Sequence, residues 1–214
     1  MKLGEIKIEA LKLMFAGYGD ELTVDNLEDY LTDENYKNYL VNMPGAINRC
    51  FSVLEHKKVI PVRSAPLSME QAEEVHGRLR FDLKEQIKDF HALERVVIDG
   101  NYGYESAQAY SMEAGVLVLS AEEIEDDAVI RVLYRPKLAR LTFASGDHAD
   151  IDLPDDIACH IPCFIKGDLY RDDEPDEAGE ARNFFEAAME EIKRNEMPEQ
   201  VQSTVVHRMG AWMN

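Results

Sequence analysis

The spacing of apolar residues changes period twice along this chain, and that change sets its layout. Toward both ends apolar positions recur every three or four residues, as on one face of a helix, whereas from about Arg78 to Phe143 they alternate, as in half-buried strands. The expected fold is α+β: a helical bundle formed by the N- and C-terminal segments, with a small antiparallel β module inserted between them. Four segments follow: an N-terminal helical part (1–64), the β module (65–145), a C-terminal helical hairpin that completes the body (146–195) and an extended tail (196–214).

The first predicted helix runs from about Leu3 to Phe15 and stops at Gly17-Tyr18-Gly19. A short helix is expected over Asn26 to Leu31. Asp33 then caps a segment with Tyr36, Tyr39, Leu40, Met43, Ile47, Phe51 and Leu54 at helical spacing, read as two helices meeting at Pro44. In the C-terminal hairpin, Ile157, Ile161, Phe164, Ile165 and Leu169 share one face, after Pro154 at a first-turn position and two acids that complement the positive helix end. After an acidic turn, Ala178, Ala181, Phe184, Phe185, Ala188, Met189 and Ile192 make a second apolar stripe.

Strands are expected where Leu79, Phe81 and Leu83 alternate with charged residues, around Val96 and Ile98, and where Val129 and Leu133 share a face. Turn signals stand at Gly100-Asn101, Glu113-Ala114-Gly115 and Glu125-Asp126-Asp127, with a short helical turn within Lys84 to Phe90.

A length of 214 residues and 45% hydrophobic content allow a full core. Three cysteines (Cys50, Cys159, Cys163), no leader-like apolar middle and no long apolar run point to a soluble protein made in a reducing compartment, with no membrane partner. The net charge of -19 is uneven: residues 145–199 hold 17 acids against 5 bases, while residues 1–64 are nearly balanced. Sequence-independent DNA binding needs clustered Lys and Arg, and no such cluster is present.

Chemistry-bearing motifs are sparse. Cys159-His160-Ile161-Pro162-Cys163 offers three metal-ligand types but no second pair to complete a quartet; the simpler reading puts both thiols on a packed helix face and His160 in solvent. Neither glycine turn carries a phosphate-loop signature, and the six histidines are scattered. Paired carboxylates are so abundant that none is diagnostic, so no catalytic, cofactor-binding or metal-binding residue is assigned and the chain reads as a non-enzyme; a hydrolase using an acid pair ranks last. Beyond Glu199 the tail holds Val205, Val206, Met209, Trp212 and Met213, with Arg208 as its one formal charge. Burying about 200 Å² of Trp212 at about 25 cal/mol/Å² is worth roughly 5 kcal/mol before ordering costs, enough for a docking anchor. Packing on its own helical body is an equally good reading.

Five stretches in colinear order carry a resemblance: NMPGAINRC at 42–50, DGNYGYE at 99–105, LPDDI at 153–157, DLYRDDEP at 168–175 and ARNFFE at 181–186. From about Leu27 to Lys193 the chain resembles the head-to-tail adaptor (connector) proteins of tailed bacteriophages and prophages. The resemblance implies a structural virion protein at the head-to-tail interface, assembled in the host cytoplasm as a homo-oligomeric, dodecameric ring under the portal protein. Tail or further connector proteins would bind its other side, and double-stranded DNA would pass through without specific binding. On that expectation Asp168, Asp172, Asp173, Glu174, Asp176 and Glu177 are channel-lining candidates, and Val205, Val206, Met209, Trp212 and Met213 dock the tail to the portal or a neighbour. The alternative from another class is a carbohydrate- or protein-binding β module on a helical scaffold, using Tyr102, Tyr104 and Tyr110.

Overall fold

A computed structural model describes residues 1–15, 22–100, 103–107, 110–124 and 128–196. The fold is α+β. Helix α1 (Leu3–Met14), a 3₁₀ turn (Leu27–Thr32) and helix α2 (Lys37–Lys57) come first. Eight strands follow among the described residues: β1 (Arg63–Pro66), β2 (Glu73–Val75), β3 (Arg78–Asp82), β4 (Phe90–Gly100), β5 (Gly103–Ser106), β6 (Tyr110–Glu113), β7 (Val116–Ser120) and β8 (Val129–Pro136). The short helix α3 (Leu83–Gln86) separates β3 from β4, and α4 (Asp155–Ala158), α5 (Ile161–Leu169) and α6 (Pro175–Glu196) complete the order.

The helical body is built around α5, which packs against α1, α2 and α6. Ile161, Phe164 and Ile165 of α5 are buried with Leu3, Ile6 and Leu11 of α1, Met43, Ile47, Cys50 and Leu54 of α2, and Phe185 and Met189 of α6. Both ends of the chain therefore share one core. Gly167 permits the close approach of α5 and α6: a Cβ there would lie 3.1 Å from Arg182 Cβ and 3.2 Å from the Ala178 carbonyl oxygen. At the start of α1, the unpaired first-turn amides of Leu3 and Gly4 donate to the carbonyls of Ala149 (2.9 Å) and Asp147 (2.8 Å), and Lys7 pairs with Asp147 at 2.6 Å.

Three helical expectations need correction. Residues 37–57 form one helix, with Pro44 inside it rather than at a junction. Pro44 has no N–H to give the Leu40 carbonyl, at a cost of about 3 kcal/mol, but the buried stripe of Leu40, Met43, Ile47, Cys50, Phe51 and Leu54 continues across it and holds the helix together. Asp33 caps the approach turn: its Oδ1 accepts the Asn35 amide at 2.8 Å, and its carbonyl accepts that of Lys37 at 2.8 Å. Phe184, expected in the α6 stripe, is 59% exposed, whereas Phe185 is fully buried. Neighbouring helical residues point about 100° apart, so one stripe cannot bury both.

The β module has two four-stranded antiparallel sheets, ordered β1-β8-β4-β5 and β2-β3-β7-β6. Phe81, Leu79, Leu117 and Leu119 from the second sheet share a buried cluster with Val96, Ile130, Val132 and Tyr134 from the first. The helical turn after β3 is α3, whose first amides, Lys84 and Glu85, donate to Asp82 Oδ1 at 2.9 and 3.1 Å; Leu83 belongs to this helix, not to the strand. The turn expected at Glu113 to Gly115 joins β6 to β7, with Ala114 (φ 53°) and Gly115 (φ 97°) both left-handed. Residues 101–102 and 125–127, at two other expected turns, and Gly17 to Gly19 lie outside the described residues. Strand β8 has the opposite phase from the one expected: Ile130, Val132, Tyr134 and Pro136 are buried, and Val129 and Leu133 lie on the other face. Apolar residues stand on both faces of VIRVLYRP, so alternation does not decide between them.

Polar contacts tie module to body. Arg135 donates to the Lys58 and Ile60 carbonyls and pairs with Glu94 at 2.8 Å; Arg63 pairs with Asp89 at 2.9 Å and Asp152 at 2.7 Å. Where the chain returns from β8, Glu55 accepts the Leu138 amide at 3.0 Å and pairs with Arg140. Asn48 exchanges two 2.8 Å hydrogen bonds with the Leu141 backbone. Leu138, inside the segment assigned to the β module, consequently joins the helical core.

Candidate assembly surface

The hairpin of α5 and α6 exposes seven consecutive residues, Arg171 to Glu177, of which five are acidic. Pro175 starts α6, and Asp176 and Glu177 occupy its first turn, where carboxylates complement the helix dipole. Apolar anchoring on each side holds the turn outward: Phe164 and Phe185 meet edge to face at 5.1 Å, and Arg182 covers the Phe164 ring at 4.3 Å.

The six channel-lining candidates divide into two sets. Asp168 is half-buried and accepts a forked pair of hydrogen bonds from Arg49. Asp173 accepts from the Tyr39 hydroxyl, whose proton is held more tightly than usual by burial first and by that bond second. Glu177 pairs with Lys166 at 2.6 Å, and Lys166 also donates to the Leu13 carbonyl at 2.8 Å. These three acids serve the body's own cohesion. Asp172, Glu174 and Asp176 stand exposed, and among the described residues Asp172 meets only the adjacent Arg171, at 3.7 Å.

The sequence places Arg49 in the NMPGAINRC stretch and Tyr39 in a helical stripe but pairs neither with the hairpin acids. Their partners lie 119 and 134 positions away, so no local pattern announces them. Further along α6, Lys57 joins Glu186 at 2.7 Å and Glu190 at 3.1 Å; these bonds, the Glu186 bond foremost, raise the lysine's affinity for its proton against the opposing effect of burial.

The Cys159–Cys163 segment differs from its simpler reading. Cys159 is exposed, with its thiol 3.5 Å from the Asp156 carbonyl, Cys163 is half-buried, and His160 is half-buried against the Phe184 ring at 5.9 Å. Burial foremost raises the pKa of both thiols. Among the described residues no three His, Cys, Asp or Glu side chains gather to hold a metal ion. None of the described helices is long and apolar enough to cross a membrane.

The docking candidates Val205, Val206, Met209, Trp212 and Met213 lie outside the described residues, as do Tyr102 and the side chain of Tyr104. Tyr110 sits on β6 and is 40% exposed. No protein-family model matches the chain, and no curated protein matches it.

Proposed function

We propose that this chain is a structural connector of the head-to-tail adaptor type, a non-enzymatic virion component that forms a ring beneath a portal protein and carries the DNA channel toward the tail. The observation that carries this reading is the exposed acidic turn on a body closed by both chain ends. Amphipathic helices suit packing both within a copy and between copies, and cyclic repetition closes without leaving an open end. Like charge on the turn keeps a passing duplex from adhering. The repulsion decays over a Debye length of about 8 Å in physiological salt, so only acids close to the duplex contribute. Asp172, Glu174 and Asp176 are the residues assigned this role, because the other three candidates are held by their own chain.

The test changes Asp172, Glu174 and Asp176 together to Lys and measures duplex retention and genome passage in assembled particles. Retention is expected to rise and passage to slow. Unchanged retention and passage remove the channel role. Deleting residues 198–214 is expected to leave a folded protein that no longer joins capsids; normal incorporation ends the docking role of the tail.

A further inference from the structure

We infer that strand β6 is a self-association edge, on which a second copy of this chain adds its own β6 antiparallel across a two-fold axis at Ser111. The inference does not depend on the connector reading, which rests on the helical body.

Strand β6 closes one edge of its sheet and pairs only with β7 among the described strands, in the register Tyr110 with Leu119, Ser111 with Val118, Met112 with Leu117 and Glu113 with Val116. The two-residue turn with both residues left-handed makes Glu113 and Val116 the hydrogen-bonded pair nearest the turn. Pairing type alternates along an antiparallel ladder, so Ser111 bonds inward to β7 while the N–H and C=O of Tyr110 and Met112 point outward. Facing groups show the same division. Tyr110 and Met112 lie opposite Leu119 and Leu117, hence on the core side of the sheet, yet they are 40% and 39% exposed. Core-side apolar residues and backbone without a partner among the described residues thus coincide on one strand.

Two of the other edges, β1 and β2, carry blocking features. Pro66 denies β1 a donor, and Arg63 on the same strand is engaged by Asp89 and Asp152. Strand β2 presents Glu73 and Glu74 on opposite faces, so a β6 strand added there would have one of these carboxylates on the same face as Glu113. Pairing β6 with a second β6 avoids that repulsion. With Ser111 opposite its own copy, Tyr110 of each chain meets Met112 of the other in the hydrogen-bonded type of pair, using all the outward groups. Tyrosine rings and methionine sulfurs then lie side by side on the core-facing side. The two Glu113 carboxylates stand at opposite ends, about 14 Å apart along the strands. The contact is isologous and closes at two copies.

Directly opposed residues in the non-hydrogen-bonded type of pair have Cα atoms about 4.5 Å apart, within the range a disulfide spans. The test uses the full chain with the exposed Cys159 changed to Ser, adding Ser111→Cys or, as an off-register control, Glu113→Cys. Mild oxidation is expected to give a covalent dimer with Ser111→Cys and little with Glu113→Cys. Adding Met112→Pro removes an outward donor without removing a β6–β7 bond, and is expected to weaken association about tenfold or more. Equal cross-linking by the two cysteine variants overturns the inference, as does an unchanged yield with Met112→Pro in a chain that keeps its circular dichroism and unfolding midpoint.

Discussion

Among the described residues, 28 buried apolar residues of the helical body, drawn from Leu3 through Met189, form one cluster, whereas the β module buries a cluster of 11 between Leu67 and Tyr134. The first core exists only when the two ends of the chain meet; the second closes within a single stretch. Closing a longer loop costs more entropy and delays contact formation, so the body depends on long-range cohesion that the module does not need. The difference separates their roles: the body is the platform, and the module is an insertion whose β6 edge has no second strand beside it among the described residues.

Replacing one large buried ring in each region tests that separation with the largest expected effect. Phe185→Ala and Phe81→Ala should each cost about 3–5 kcal/mol, both residues being fully buried. Their hydrogen-exchange patterns should differ. Phe81→Ala is expected to lose amide protection within residues 63–136 while α1, α5 and α6 keep theirs; Phe185→Ala should lower protection in helices from both chain ends. Identical global loss in both variants would show one cooperative unit and break the comparison.

The same division explains what the sequence made legible. Period alone located the two helical ends and the stranded middle, because burial on one face leaves a repeat that neighbouring residues record. It located α6 but not the fate of Phe184, since an FF pair satisfies the stripe at either position and only packing against α5 selects Phe185. It divided α2 at Pro44 because a local rule counts the lost hydrogen bond and not the core on either side. The phase of β8 was hidden by apolar residues on both faces, and β1 and β2 are too short, at four and three residues, to show alternation. The sorting of the acids into bonded and free sets was beyond sequence, because Arg49 and Tyr39 come from α2 and meet the hairpin only in the folded body.

A smaller effect probes the junction between the regions. Glu55 is only 9% exposed, and it joins α2 to the strand exit through the Leu138 amide and Arg140. Glu55→Ala should cost about 1.5–3 kcal/mol, the range for a hydrogen bond to a charged group. Because the lost partner is where the module rejoins the body, the loss should appear in chemical denaturation and as faster exchange at Leu138. Loss of stability without faster exchange at Leu138 would place the weak point elsewhere. Within the module, Ala114 has φ 53°, a left-handed conformation that a Cβ disfavours. Ala114→Gly should stabilise the chain by about 1 kcal/mol, read as a higher urea midpoint; a lower midpoint would mean the turn is not strained.

The smallest effect concerns the body alone and is separated by pH. The Glu186 bond raises the Lys57 pKa, and the Lys57 bond lowers that of Glu190. A raised lysine pKa contributes stability that is complete below its unfolded value of about 10.4 and is lost as pH rises through the folded value. The lowered glutamate pKa works in the other direction: its contribution is complete above about 4.3 and is lost as pH falls through the folded value. Lys57→Met removes both. The urea-midpoint difference between wild type and Lys57→Met should therefore be flat from about pH 5 to 10 and shrink toward either extreme. Added salt should reduce the plateau, because the partners are partly exposed. A difference independent of pH and salt would assign the effect of Lys57 to packing of its alkyl chain against α6, and the body would then be held by apolar contact alone along this seam.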